Sequence, residues 1–174
     1  VSDQGERVAI LAELARLRIH QLGDLDAGLE DLLRAQKMNP EDPVVTEALG
    51  ELYRHLGRWS ELEQLLLRRG RACADPQLAS SLLCEVAHIR EDRFGDTEGA
   101  ATLYRTALNT APTNLHALQA LLRTGRASHD YQAVARLCEA LAEMEAGPGA
   151  AAALWMAARI YRDRLRNSEL AIAA

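Results

Sequence analysis

Apolar residues recur along this chain at helical spacing, in short stretches separated by polar turns. Leu11, Leu14, Ala15 and Leu22 fall on one helical face, with Arg18 as a polar exception. This first stretch runs from Glu6 to about Leu22, turns at Gly23-Asp24, and resumes from Leu25 to Met38. Asp24 is placed to cap the second helix, with Ala27 rather than Glu or Gln three residues on, so no capping box forms. Asp96 plays the same part later in the chain. Pro40 and Pro112 stop the second helix of their pairs, because proline cannot continue the hydrogen-bond ladder. The pattern predicts helix–turn–helix elements with short connections.

The turn residues repeat. Gly23-Asp24 and Gly95-Asp96, Pro40 and Pro112, and Trp59 and Tyr131 each stand 72 residues apart. Gly57 divides that interval, which gives a unit of about 36 residues in two alternating versions. One repeat domain over residues 1–174 is expected, with units near 6–40, 41–76, 77–112, 113–148 and a truncated 149–174. About ten helices follow, the last cut short.

Composition supports an all-α class. The 174 residues are 48% hydrophobic, enough for a core, and only 4% aromatic, so the apolar content is mostly Ala and Leu. Both are strong helix formers, and Ala lets helices approach closely. The formal net charge of −5 argues against a nucleic-acid binder, whose affinity rests on neutralising phosphates. Three cysteines without paired spacing, Cys73, Cys84 and Cys138, point to free thiols in a reducing, cytoplasmic setting. No apolar run approaches the roughly 20 residues of a membrane span. The start at Val1 is not a signal peptide, and the stop at Ala174 falls inside an apparent helix. Both features read as a segment of something longer, in which a targeting signal would lie elsewhere.

These units resemble the tetratricopeptide repeat, whose pattern is W-x2-L-G-x2-Y, then A-x3-F, then P. The second unit carries Thr46-x2-Leu49-Gly50-x2-Tyr53, lacking only the Trp. The third carries Ala100-x3-Tyr104, Ala107 and Pro112; the first carries Gly28-x3-Leu32, Ala35 and Pro40. The fifth has Leu154-x2-Ala157-Ala158-x2-Tyr161. The fourth departs, with Leu121-Leu122 where a small residue belongs, Gly125 in place of Tyr, and His129-Asp130-Tyr131 in place of a turn glycine. The second helix of the second unit departs too, with Leu62 and Arg69 at usually small positions. The resemblance implies a right-handed α-solenoid of about five helix–turn–helix repeats in a larger bacterial repeat protein. It places Gly50, Ala87 and Ala158 at close helix contacts, and Tyr53, Tyr104 and Tyr161 between neighbouring repeats. It also implies that the first helices build a concave wall that grips a peptide or partner protein.

Chemistry is sparse. There is no phosphate-binding glycine loop, no H-E-x-x-H, and no triad-like setting for His20, His55, His88, His116 or His129. Cys84 and His88 stand four apart on one face, but a metal site needs three or four ligands and no local third is offered. Acid pairs such as Glu61/Glu63 and Glu143/Glu145 read as solvated helix faces. No catalytic residue, metal or cofactor is expected.

One constellation stands out. The residue after the tightly packed pair in each first helix is Arg16, Glu51, His88, Arg123 and Arg159 in turn. Near it lie Arg54, Gln119, Arg126 and Trp155. This column, basic in an acidic chain, is the expected groove. Arg forks bind carboxylates, and Trp and Arg are frequent interface anchors. The expected partner is a protein or peptide, acidic in character, with self-association through exposed terminal helices as a further expectation. Glu47, Glu51 and the single Lys do not match the family's C-terminal-carboxylate clamp, so a chaperone-tail receptor is not expected. Two other classes fit less well. One is an accessory repeat domain of a larger enzyme or regulator. The other is a helical-repeat RNA binder, which needs a regular code at fixed positions.

Overall fold

The computed structural model describes residues 2–127, 131–144 and 147–164. Among the described residues every regular element is helical. The chain divides into two compact units, Val1–Ala72 and Cys73–Ala174.

The first unit holds α1 (Ser2–Leu17), which continues as a π-helical turn (Arg18–Leu22), then α2 (Leu25–Met38), α3 (Pro43–Leu56) and α4 (Trp59–Ala72). α1 starts at Ser2 rather than at Glu6. Asp3 sits in its first turn, where a carboxylate suits the helix dipole, and pairs with Arg7 one turn on at 2.8 Å. The reversal into α2 takes two residues. Gly23 adopts φ 68°, a left-handed conformation that would cost a residue with a Cβ about 1–2 kcal/mol. Asp24 then accepts the Ala27 amide at 3.0 Å, as its spacing predicts. α2 ends at Met38, and Asn39 before Pro40 is extended, the conformation that proline imposes on its predecessor.

Val8, Ala15, Leu29, Leu32 and Ala35 are buried, as are Val45, Leu49, Leu52 and Tyr53 of α3 and Leu62, Leu65 and Leu66 of α4. Arg18 has a reason to interrupt the apolar face: its guanidinium meets Asp31 of α2 at 2.7 Å, and Asp31 is almost wholly buried. Gly50 is not the tight contact expected. A Cβ there would lie 3.7–3.9 Å from Arg54, Leu65 and Leu62, ordinary packing distance. The close approach is at Gly28 instead, where an added Cβ would come within 2.5 Å of Ile19 Cγ1.

The second unit holds α5 (Pro76–Ile89) with its π-helical turn (Arg90–Phe94), α6 (Thr97–Thr110), α7 (Leu115–Ala127), α8 (Tyr131–Met144) and α9 (Pro148–Asp163). The 72-residue offset holds down to backbone angles. Gly95 repeats φ 68°, Asp96 caps α6 through the Gly99 amide at 2.8 Å, and Ala111 repeats the extended exit before Pro112. Tyr104 is fully buried, as expected, among Cys84 and Ala87 of α5, Ala100 and Ala107 of α6, and Ala117, Ala120 and Leu121 of α7. Beside it, Asn114 ties three helices together. Its side-chain oxygen caps α7 through the Ala117 amide at 3.2 Å, and its Nδ2 donates to Ser80 Oγ at 2.7 Å. The Ser80 hydroxyl in turn donates to the Ala107 carbonyl at 2.8 Å.

A second cluster joins Leu122, Val134, Ala135, Cys138, Ala157 and Tyr161. Ala158, expected at a close contact, is only half-buried; Ala153, Ala157 and Tyr161 take the buried positions on α9. Leu121 and Leu122, the large residues of the irregular fourth repeat, are both buried. His129 and Asp130 lie outside the described residues.

Two stability measurements follow. Gly50→Leu should destabilise the chain by about 1–3 kcal/mol through overpacking against Leu62 and Leu65, whereas Gly50→Ala should be neutral or slightly stabilising. Equal melting temperatures for both variants would contradict this packing. Tyr104→Ala should cost roughly 3–5 kcal/mol in urea unfolding, as expected for a buried aromatic.

Candidate functional site

Each first helix presents one position of the column. In the first unit these are Arg16 on α1 and Glu51 on α3; in the second they are His88 on α5, Arg123 on α7 and Arg159 on α9. All five are exposed, as are Arg54 and Gln119. The side chain of Arg126 lies outside the described residues.

The basic members do not face solvent as free charges. Arg16 forks onto Glu13 with contacts of 2.7 and 3.0 Å. This pairing pulls the Glu13 carboxyl below its usual range and raises Arg16, chiefly through the hydrogen bond itself. His88 Nε2 lies 3.2 Å from Asp92, and Arg159 lies 3.8 Å from Asp163. Arg123 donates to Glu91 at 2.7 Å. Glu91 is half-buried and also lies 3.5 Å from the Tyr104 hydroxyl. Glu51 differs: among the described residues it has no ion-pair partner. The column is thus exposed, but much of its charge is compensated by neighbouring carboxylates.

Comparison with solved structures settles what these helix pairs form. A tetratricopeptide repeat protein from Parabacteroides merdae superposes with a TM-score of 0.62 at 19% identity, over 97% of this chain and 65% of that one. The chain has the tetratricopeptide-repeat fold. The pilF protein of Pseudomonas aeruginosa superposes with a TM-score of 0.56 at 13% identity, covering 95% of this chain and 72% of that one. YrrB, described as a tetratricopeptide-repeat protein with an unusual peptide-binding site, gives 0.54 at 15% identity over 94% and 80%. No protein-family model and no curated protein matches the sequence.

Within the tetratricopeptide-repeat fold, the first unit carries a cleft of about 580 Å³ between α1 and α3 with α2 as its floor. Ile19, Leu25, Leu32, Val44, Ala48 and Leu52 make its walls aliphatic, while Glu13, Arg16, His20, Glu51 and His55 form the polar part of the lining. Val44 is 63% exposed. In the second unit a cleft of about 550 Å³ is lined by Tyr131 of α8 and by Trp155, Met156, Arg159 and Ile160 of α9, with Asp163 and Arg164. Trp155 is 63% exposed, and the Arg159 guanidinium lies over its ring at 5.2 Å from the centroid. Arg164 lies over Tyr131 at 5.1 Å. Of the residues expected in the groove, Arg16 and Glu51 line the first cleft, and Trp155 and Arg159 line the second. Sequence reasoning missed Val44, Ala48 and Leu52, although their spacing on α3 marks one face.

Cys84 and His88 share a helix but not a site. Cys84 is buried, accepts a long contact from Asn114 Nδ2 at 3.5 Å, and has its thiol pushed up by burial. His88 faces outward to Asp92. His88, Glu91 and Asp92 bring three ligating atoms within 4.8 Å of one another, but Glu91 is held by Arg123. The group is an ion-pair network linking α5 to α7.

Burial pushes the Tyr104 phenol up from 10.0 to about 12, and Glu91 adds to the rise. In the unfolded chain this phenol ionises near 10, so its contribution to stability is complete below that pH and is lost as pH climbs towards 12. Stability measured by urea midpoint should therefore fall between pH 10 and 12, and less steeply in Tyr104→Phe. Parallel curves for the two proteins would show that Tyr104 is not the group responsible.

Proposed function

We propose that this chain is a scaffold segment that holds another protein by gripping part of it on the exposed faces of the first helices. The observation that carries this reading is the aliphatic cleft between α1 and α3, open to solvent at Val44. Burying one Leu-sized side chain in such a cleft is worth about 1.5–3 kcal/mol, more than a single exposed ion pair supplies. The lining holds no nucleophile–base pair, which favours binding over chemistry.

A second contact is favoured by Trp155. Its exposed ring stacked with Arg159 combines the two residue types most common at interface hot spots. An acidic segment of the partner fits here, because the Arg159–Asp163 contact is long at 3.8 Å. Arg123 is a poorer receptor for such a segment, since Glu91 holds it at 2.7 Å.

The test is partner capture by variants of the chain. Val44→Asp lies in the first turn of α3, where a carboxylate suits the helix dipole, so the fold should survive. Capture should drop at least tenfold in that variant, and crosslinks to the bound partner should map to α1 and α3. Arg159→Glu should weaken capture of an acidic partner at physiological salt without lowering the melting temperature, since its carboxylate contact among the described residues is long and exposed. Capture unchanged in both variants would move the binding surface off the first helices.

A further inference from the structure

We infer that the α1–α3 cleft selects a short aliphatic segment carrying a basic side chain, rather than an acidic one. This rests on the cleft being the partner-binding surface and names the chemistry of what it takes. Two charged groups decide the sign. Arg16 would be the receptor for an acidic ligand, but its guanidinium already spends both ends of its fork on Glu13, at 3.0 Å through Nε and 2.7 Å through Nη2. A ligand carboxylate would be left the Nη1 side of the guanidinium or would displace Glu13, and in either case it would lie beside the Glu13 carboxylate. Glu51 stands on the opposite wall, on α3, exposed and without an ion-pair partner among the described residues. A Lys or Arg of the ligand would meet a carboxylate that gives up no existing bond.

The remaining lining fixes the rest of the ligand. Ile19, Leu25, Val44, Ala48 and Leu52 offer aliphatic surface and no aromatic ring. Ala48 and Leu52 stand one turn apart on α3, with Glu51 beside Leu52 on the same helix. A segment with branched aliphatic side chains next to one Lys therefore satisfies floor and wall together. The expected partner chemistry in this unit is the reverse of that read from the column of arginines. The reason is that the nearest arginine is neutralised locally and the nearest free charge is negative.

The experiment uses three fluorescein-labelled nonapeptides, identical in leucine and valine content and differing only in a central Lys, Gln or Glu. Anisotropy titration of the whole chain should rank them Lys, then Gln, then Glu. The Lys-over-Glu preference should be about fivefold at low salt and should shrink as salt rises, as befits one exposed ion pair. Glu51→Gln should remove the preference, and Glu51→Lys should invert it. If all three peptides bind equally, and Val44→Asp abolishes all three, the cleft is the binding surface and the selection for a basic side chain is wrong. If no peptide binds, or Val44→Asp changes nothing, the cleft itself is not the binding surface and both readings fall.

Discussion

Reversing a helical chain within two residues is the constraint on which the rest of this structure depends. A helix leaves its last carbonyls unpaired, and the next helix opens with unpaired amides. Gly23 and Gly95 resolve the first problem by turning left-handed, which brings the following amide back to the carbonyl of Arg18 or Arg90 at 3.0 Å. Asp24 and Asp96 resolve the second with a side-chain cap. Because the turn is so short, the two helices must lie antiparallel and close. Closeness then dictates composition, which is why Ala15, Gly28, Ala87 and Ala100 are all buried small residues.

A pair made this way still cannot bury both its faces. α1 shows the consequence: Ile10, Leu14 and Leu17 are exposed on it. The corresponding residues of α3, Val45, Leu49 and Leu52, are buried where α3 packs against α2. Ala117 and Leu121 are likewise buried where α7 packs against α6. Stacking is thus the source of core in a protein with few aromatics. Tyr104 shows how one large residue among alanines fills the gap between three helices. Asn114 and Ser80 add direction, since their hydrogen bonds are satisfied only when α5, α6 and α7 meet in one register.

Local chemistry made most of this fold legible in sequence. Glycine followed by aspartate, proline after a helical stretch, and a 72-residue echo all act over a few residues and survive without knowledge of the tertiary structure. Asp42 and Asp75, before Pro43 and Pro76, are caps that the sequence analysis did not single out: Asp42 accepts the Val44 and Val45 amides, and Asp75 accepts that of Gln77. What sequence left hidden depends on neighbours far along the chain. The Arg18–Asp31 pair spans the turn, and Arg123 meets Glu91 across 32 residues. Gly28, not Gly50, is the tight contact of the first unit, and the residue it meets, Ile19, lies in the π-helical turn. Helical periodicity alone does not reveal an extra residue in a turn.

The column of arginines illustrates how a charge pattern misleads when read along one register. Residues three and four apart on a helix are neighbours, so Glu13 belongs to Arg16, Asp92 to His88 and Asp163 to Arg159. Such exposed pairs are worth little to stability, yet a tight one such as Arg16–Glu13 removes most of a charge from the field that a partner would feel. Aliphatic surface is not cancelled in that way. Val44 and Trp155 remain uncovered whatever their neighbours carry, and the area they offer is recovered only when something else excludes water from it. In the proposed reading the apolar residues therefore set where a partner sits, and unpaired charge, that of Glu51 foremost, sets which partner it is.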